Sequence, residues 1–204
     1  MRRRAEFLPL SLLIAVVAFS SCSKALSRST AAKLIKANDR FAEPLSVKVP
    51  VGKVWFDYRN FYDTFPVRDL EKAGLVNVFE TGRTSGMWTK EYAVRLTPAG
   101  ERQATSWKKT NEKIDSWFAP PSPEAVIYLM PVANRAIDEV TGIRSEGAAE
   151  SNQAIAEFTW HWKTTEGGRL LSKSAPSEQQ KTEALLQRYD DGWRVSQIHL
   201  TMLD

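Results

Sequence analysis

Residues 154–163 read AIAEFTWHWK, and this stretch carries the clearest statement of the fold. Its apolar side chains recur at every second position. Because successive side chains of a β-strand point to opposite faces, this period predicts a strand with one buried and one solvated side. The predicted buried face consists of Ala154, Ala156, Phe158, Trp160 and Trp162. Such alternation is typical of an antiparallel sheet that has one face in water.

A hairpin is predicted near the carboxyl end. Residues 182–189 and 193–200 are candidate strands, and Asp190-Asp191-Gly192 between them favours a tight turn. This hairpin resembles the last two strands of the nuclear-transport-factor-two-like and cystatin-like folds, and the resemblance extends loosely over residues 125–204. It implies a curved antiparallel sheet wrapped around helices, often with a pocket for a small ligand.

A helix and a pair of strands are predicted from residue 66 onward. Pro66 suits the first turn of a helix, and Gly74 suits its end. Residues 75–80 and 91–96 then read as paired strands around a tip at residues 82–86.

A second helix is predicted to begin at Pro98, with Thr97 as its cap, and to reach about Thr110. Over residues 55–100, the order of these elements resembles the winged helix of bacterial transcription regulators. The candidate recognition helix has two acidic and two basic residues, which cancel. We therefore expect the shape of a winged helix without its DNA contacts.

Met87 and Trp88, beside the tip of the predicted wing, are candidate contacts for a partner or a membrane. Folding of both side chains back onto the hairpin is the alternative, and the sequence leaves it open. Upstream, residues 55–65 are rich in aromatic side chains. They could form a surface for a sugar or a peptide, but we expect them to fill the core, where large apolar residues are most often found.

The elements together predict an α+β protein, with a winged-helix-like segment followed by an antiparallel sheet region. A proline-rich stretch, Ala-Pro-Pro-Ser-Pro, suits a stiff linker between the two. The predicted divisions are a signal peptide at 1–21, a lipidated tether at 22–28, a winged-helix-like domain at 29–118, the linker at 119–123 and a sheet domain at 124–204.

The amino terminus has the pattern of an export signal. Arg2, Arg3 and Arg4 precede an apolar run at residues 7–19, which is too short to cross a bilayer comfortably. Ser20, Ser21 and Cys22 follow it and resemble the signal of bacterial lipoproteins. The resemblance implies cleavage between Ser21 and Cys22, and attachment of diacylglycerol and a fatty acyl chain such as palmitate to Cys22.

Two other interpretations of this segment stay open: an ordinary cleaved signal peptide and an uncleaved anchor helix. The position three before the cysteine is Phe19, where the lipoprotein family usually has leucine. Cys22 is the chain's one cysteine, so an internal disulfide is excluded. This supports lipidation, since a lone thiol stands where the lipid would be attached.

The chemistry of the remaining chain is sparse. Without residues 1–21 the chain keeps 25 basic and 23 acidic residues, so its charge does not favour nucleic acid. With two histidines, His161 and His199, and no cysteine beyond Cys22, we expect no metal site and no cofactor. We also predict no catalytic residues, because the familiar nucleophile and phosphate-loop motifs are missing. His161 falls on the polar face of its strand, and we expect it to be solvated.

These observations predict a lipoprotein anchored to the membrane of a bacterial cell envelope, on the periplasmic or outer-membrane side. We expect a non-enzymatic binding or structural protein with an envelope protein or a glycan as partner. A small-molecule binder or enzyme that uses a cavity of the carboxyl-terminal sheet is the alternative. A DNA-binding protein is a third interpretation, and it requires a cytoplasmic location.

Overall fold

A long strand, β1 (Leu45–Asp57), connects two parts of the sheet, because its first half pairs with one strand and its second half with another. The structure is a computed structural model that describes residues 25–112, 114, 120–145, 152–172 and 175–200. Of these residues, 51% lie in strands and 22% in helices. The remaining strands are β2 (Val76–Ser85), β3 (Thr89–Leu96), β4 (Lys108–Thr110), β5 (Val126–Ser145), β6 (Gln153–Thr164), β7 (Gln180–Tyr189) and β8 (Gly192–Ile198). The antiparallel sheet has the order β2-β3-β1-β5-β6-β7-β8, and β4 pairs with β5.

The helices are short and flank the sheet. They are α1 (Arg28–Ala37), α2 (Asp39–Ala42), α3 (Phe61–Thr64), α4 (Val67–Lys72), α5 (Pro98–Ala104) and α6 (Glu166–Arg169). The side chain of Ser27 accepts a hydrogen bond from the backbone N–H of Thr30 and caps α1. Thr97 caps α5 in the same way through Gly100. These bonds satisfy N–H groups that the first turn of a helix leaves unpaired.

Gly52 marks the point at which β1 changes its partner. Residues up to Val51 pair with β5, whereas Gly52 and the residues after it pair with β3. Gly52 has a φ of +113°, and a β-carbon there would lie 2.4 Å from the carbonyl oxygen of Glu124. Both facts require glycine. One strand thereby joins the amino-terminal and carboxyl-terminal parts of the sheet.

The prediction of an α+β fold with a winged-helix segment is wrong: the described part of the chain is all-β and forms one eight-stranded sheet. The predicted order of α4, β2, β3 and α5 does occur. However, the second half of β1 pairs with β3 from Gly52 to Asp57, so both wing strands belong to the common sheet. The aromatic segment before α3 is extended, and this makes it a third strand beside the predicted wing.

Two local boundaries also differ from the prediction. The predicted tip at residues 82–86 is displaced, because β2 continues to Ser85 through a bulge between Glu80 and Thr84, and the chain turns only at residues 86–88. The second helix ends at Ala104 rather than near Thr110. The hydroxyls of Thr105 and Ser106 donate to carbonyls of that helix, and the chain then enters β4. Such side-chain bonds compete with continuation of a helix.

Two hydrophobic clusters pack against the sheet. The first joins α3, α4 and α5 to the amino-terminal strands, and its largest fully buried members include Phe61, Leu70 and Tyr92. The second joins α1 and α2 to the carboxyl-terminal strands and includes Phe158 and Trp160. The amino-terminal helix of the described chain therefore lies on the carboxyl-terminal part of the sheet.

Arg135 fixes α2 to β5. Its Nη1 donates to the carbonyl oxygens of Arg40, Phe41 and Glu43, at 3.0, 3.3 and 2.8 Å, at the carboxyl end of α2. The guanidinium lies 4.4 Å from the ring centroid of Trp162, and burial lowers the pKa of Arg135. A cation beside the carbonyl end of a helix is electrostatically favourable.

The pattern of residues 154–163 is confirmed, since all five residues of the predicted buried face are buried on β6. The carboxyl-terminal hairpin is confirmed as well. Tyr189 of β7 pairs with Gly192 of β8, and the two aspartates between them form the turn.

Candidate functional site

Met87 and Trp88 lie in the turn that connects β2 to β3. Gly86, with a φ of +69°, begins this turn. Met87 is 79% exposed and Trp88 is 45% exposed. A methionine this exposed beside a half-exposed tryptophan is unusual, because both residue types are mostly buried. Met87 therefore extends outward and Trp88 is partly covered, and their role as a contact for a partner or a membrane stays a prediction.

The end of β1 holds Trp88 in place. The backbone N–H of Tyr58 donates to the carbonyl oxygen of Trp88 at 3.1 Å, and the two rings lie 6.1 Å apart with an interplanar angle of 32°. The guanidinium of Arg59 lies 4.5 Å from the centroid of the Trp88 ring, within cation–π distance. We refer to Tyr58, Arg59, Met87 and Trp88 as the hairpin-end surface.

Arg59 is itself held by a carboxylate. Its Nε donates to Oδ1 of Asp57 at 2.9 Å, and its Nη2 donates to Oδ2. This fork of hydrogen bonds holds the pKa of Asp57 below and that of Arg59 above the ordinary values. Arg59 is thus oriented before any partner arrives, and its charge is balanced.

Lys90 extends the cluster on the neighbouring strand. Its Nζ lies 2.9 Å from Oε2 of Glu80 and 5.2 Å from the centroid of the Tyr58 ring. The cation beside Tyr58, like the cation beside Trp88, therefore has an acidic partner of its own.

Glu91 of β3 is a buried carboxylate next to this cluster, with 3% of the residue exposed. Its Oε2 accepts from the Thr81 hydroxyl at 2.9 Å, and its Oε1 accepts from Arg83 at 3.1 Å. Arg83 also lies 5.3 Å from the centroid of the Trp55 ring. This group is not apparent in the sequence, since Thr81 and Arg83 reach Glu91 only from the bulge of β2.

The surface as a whole combines aromatic rings, methionine and arginine with internally balanced charge. Tyrosine, tryptophan, methionine and arginine are enriched where proteins bind one another, and the first two with arginine dominate binding energy there. Among the contacts described, none places an acid and a base around a third group as proton-transfer catalysis would require. The arrangement suits binding.

A cavity of about 290 Å³ lies beside α3 and α4, and its lining includes Tyr62, Arg68 and Ser172. The carboxylate of Asp69 accepts from both the N–H and the hydroxyl of Ser172, at 2.7 and 2.6 Å. These bonds hold the pKa of Asp69 below its ordinary range. Their role is to tie α4 to the segment that follows α6.

The alternative function, which uses a cavity of the carboxyl-terminal sheet, stays a prediction. A depression of about 300 Å³ beside β8 is lined by Arg40 and residues 197–200, with His199 as its one histidine. His161 is half-exposed on β6, as the strand pattern indicates, but it is not merely solvated. Its Nδ1 lies 2.6 Å from Oδ1 of Asp138. Within the described residues, no hydroxyl or thiol is hydrogen-bonded to this ring, so a nucleophilic triad is not assembled there.

Cys22 and Ser21, the predicted lipidation and cleavage residues, lie outside the described residues. In the part of the chain that is described, no three side chains of histidine, cysteine, aspartate or glutamate are grouped as metal ligands would be. Comparison of the whole chain with protein-family models, with curated proteins and with solved structures finds no match.

Proposed function

We propose that this protein is a non-enzymatic lipoprotein of a bacterial cell envelope. In this proposal, a lipid on Cys22 anchors the protein to the membrane, and the protein binds its partner through the hairpin-end surface. The proposal joins a sequence argument for the anchor to a structural argument for the binding site. Cofactors and nucleic acid have no part in it.

The anchor is supported by the order of Arg2–Arg4, the apolar run at 7–19 and the Ser20-Ser21-Cys22 motif. Among the described helices, none is long and apolar enough to cross a membrane. Several acyl chains on one cysteine would hold the protein firmly, because each buried CH₂ contributes about 0.8 kcal/mol.

The anchor is tested by metabolic labelling with an alkyne analogue of palmitate. The full-length protein should be labelled and should migrate as the shortened, mature form. Cys22→Ala should stay unlabelled and keep its full length, since both cleavage and acylation require the thiol in proteins with this signal. Labelling of Cys22→Ala equal to the parent protein would refute the anchor.

One observation supports the binding function: Met87 is 79% exposed, and it lies beside Trp88. Arg59 and Tyr58 hold Trp88 in place. A side chain that is both exposed and held in position loses little conformational freedom when a partner covers it. Tryptophan and arginine at the centre of a contact are the residues whose removal weakens binding most.

Binding is tested with a photo-reactive amino acid introduced at residue 87 in the full-length, membrane-located protein. Irradiation should give a discrete adduct, and Trp88→Ala should reduce its yield. Tyr189→Ala is the matched control. Tyr189 is also 45% exposed at a hairpin end, with Arg194 5.0 Å from its ring centroid. An adduct that both substitutions weaken equally, or neither weakens, would count against the hairpin-end surface.

A further inference from the structure

The topology places the hairpin-end surface and the tether at opposite ends of the sheet. We infer that the occupant of the hairpin-end surface is a protein located away from the bilayer that holds the lipid. This inference rests on the proposed function, because it assigns a partner class and a location to the same site.

The length of β1 provides the separation. Its 13 residues, at about 3.3 Å each, give a strand of about 43 Å along its path. Asp57 lies at one end and is followed by Tyr58, whose backbone N–H is hydrogen-bonded to Trp88. Leu45, at the other end, pairs with Ala133 of β5.

The described residues that lead into α1, 25–27, lie towards the Leu45 end of β1. Leu26 and α1 pack in the second hydrophobic cluster, which contains Val140 and Phe158. These two residues pair on the part of β5 that continues past Ala133, away from β1. The whole length of β1 therefore separates the root of the tether from Trp88.

The charges around Trp88 oppose insertion into lipid. Burial of its ring among acyl chains would also bury Arg59, which lies over that ring, and Asp57, which Arg59 binds. Removal of an ion pair from water is unfavourable, and a bilayer offers it no new hydrogen bonds. A protein partner can cover the indole and leave the ion pair at the wet rim of the contact.

The same ion pairs argue against a polyanion as the partner, and the arrangement of the rings argues against a flat surface for sugar binding. Arg59 and Lys90 each have a carboxylate partner, so the surface offers little net attraction for anionic lipid or nucleic acid. The Tyr58 and Trp88 rings are tilted by 32°, and Arg59 covers one face of the indole. A protein with an apolar pocket for Met87 and Trp88 fits these features.

Orientation is tested with the lipidated protein in vesicles of phosphatidylethanolamine and phosphatidylglycerol that carry an energy acceptor on a lipid headgroup. Cys22 is the one natural cysteine, and acylation blocks it, so an introduced cysteine can be labelled alone. A donor at Met87→Cys should transfer much less energy than a donor at Lys33→Cys, an exposed position on α1. Equal or greater transfer from residue 87 would place this surface on the bilayer and overturn the inference.

The partner class is tested by treatment of the residue 87 photo-adduct from cells with protease, lipase or a glycan hydrolase. We expect a protease-sensitive adduct that Trp88→Ala reduces about tenfold or more. Its yield should change little between about 0.05 and 0.5 M salt, as a charge-balanced contact requires. A lipid or glycan adduct that depends on Trp88 would overturn the inference and leave the binding function standing. If no adduct depends on Trp88, both this inference and the proposed binding function are overturned.

Discussion

Trp160 is the side chain whose removal tests the packing of the sheet most directly. It lies on β6 with 1% of its surface exposed. Its ring meets the rings of Trp162 and Phe41 edge-on, with centroids 5.3 and 6.3 Å away. Burial of about 150–250 Å² of aromatic surface at about 25 cal/mol per Å² gives about 4–6 kcal/mol as an upper bound for this side chain.

Two features of the structure lower that figure for Trp160→Ala. Alanine retains the β-carbon, and the indole N–H of Trp160 is buried with no hydrogen-bond partner among the described residues. Such an unsatisfied donor lowers the free energy of unfolding by about 1–3 kcal/mol, and a substitution that removes the donor recovers this amount. We expect Trp160→Ala to lower the free energy of unfolding by about 3 kcal/mol and the melting temperature by about 6–12 °C. Trp160→Phe should cost less than about 1.5 kcal/mol, because it removes the N–H and keeps a ring.

The assay is urea unfolding followed by circular dichroism, which does not depend on the fluorescence of the removed indole. His161→Ala is the matched control on the opposite face of the same strand, where 38% of the side chain is exposed. Loss of its bond to Asp138 should cost about 1 kcal/mol or less. Equal losses in Trp160→Ala and His161→Ala would mean that the faces of β6 are exchanged, and the register described above would be wrong.

Two further predictions concern the links within the sheet. The pKa of Asp69 is lowered in the folded state, so its bonds to Ser172 stabilise the protein above the ordinary aspartate pKa, and that stability is lost as the pH falls through the lower folded value. In Asp69→Asn, the free energy of unfolding should therefore fall less steeply with pH below about pH 4 than in the parent protein. An equally steep fall would contradict the assignment. Gly52→Ala should lower the free energy of unfolding by more than about 1 kcal/mol, since φ is positive and the new β-carbon would strike Glu124. Gly142→Ala, with open space around it, is the control, and similar melting of both variants would refute the role of the bend.

Local features of the fold were predictable because their signals lie within a few residues. The alternation at 154–163 depends on side-chain direction alone, and the structure buries the predicted face. The end of α4 shortly before Gly74, which has a φ of +71°, follows from the same kind of local rule. The cap of α5 by Thr97 is also local.

The fold class was not predictable from such signals, because it depends on which strands pair. Nothing local to residues 45–57 indicates that Val51 pairs with β5 and Gly52 with β3. The short helices after β1 and the wing-like hairpin suggested a separate segment. Long-range hydrogen bonds then placed those elements in one sheet.

The candidate site was half predictable. Met87 and Trp88 could be found from composition beside a turn. The fixation of Trp88 by Arg59 could not, because it requires the end of β1 to lie next to the turn after β2. Glu91 points to the opposite face of β3 from the buried Tyr92 and Val94, and no local pattern in the sequence marks it as buried. Its burial depends on a bulge in another strand.

The correction of the fold class changes what Trp88 implies about function. Trp88 does not belong to either hydrophobic cluster, and the contacts that fix it come from the end of β1 rather than from the core. Its cation–π contact with Arg59 is worth about 0.5–1 kcal/mol at an exposed site, so the stability of the sheet depends little on it. We propose that a partner covers the apolar surface that Trp88 leaves in water together with Met87. The Trp88→Ala variant therefore separates the two roles: loss of the adduct with an unchanged melting temperature assigns Trp88 to binding, whereas parallel loss of both assigns it to packing.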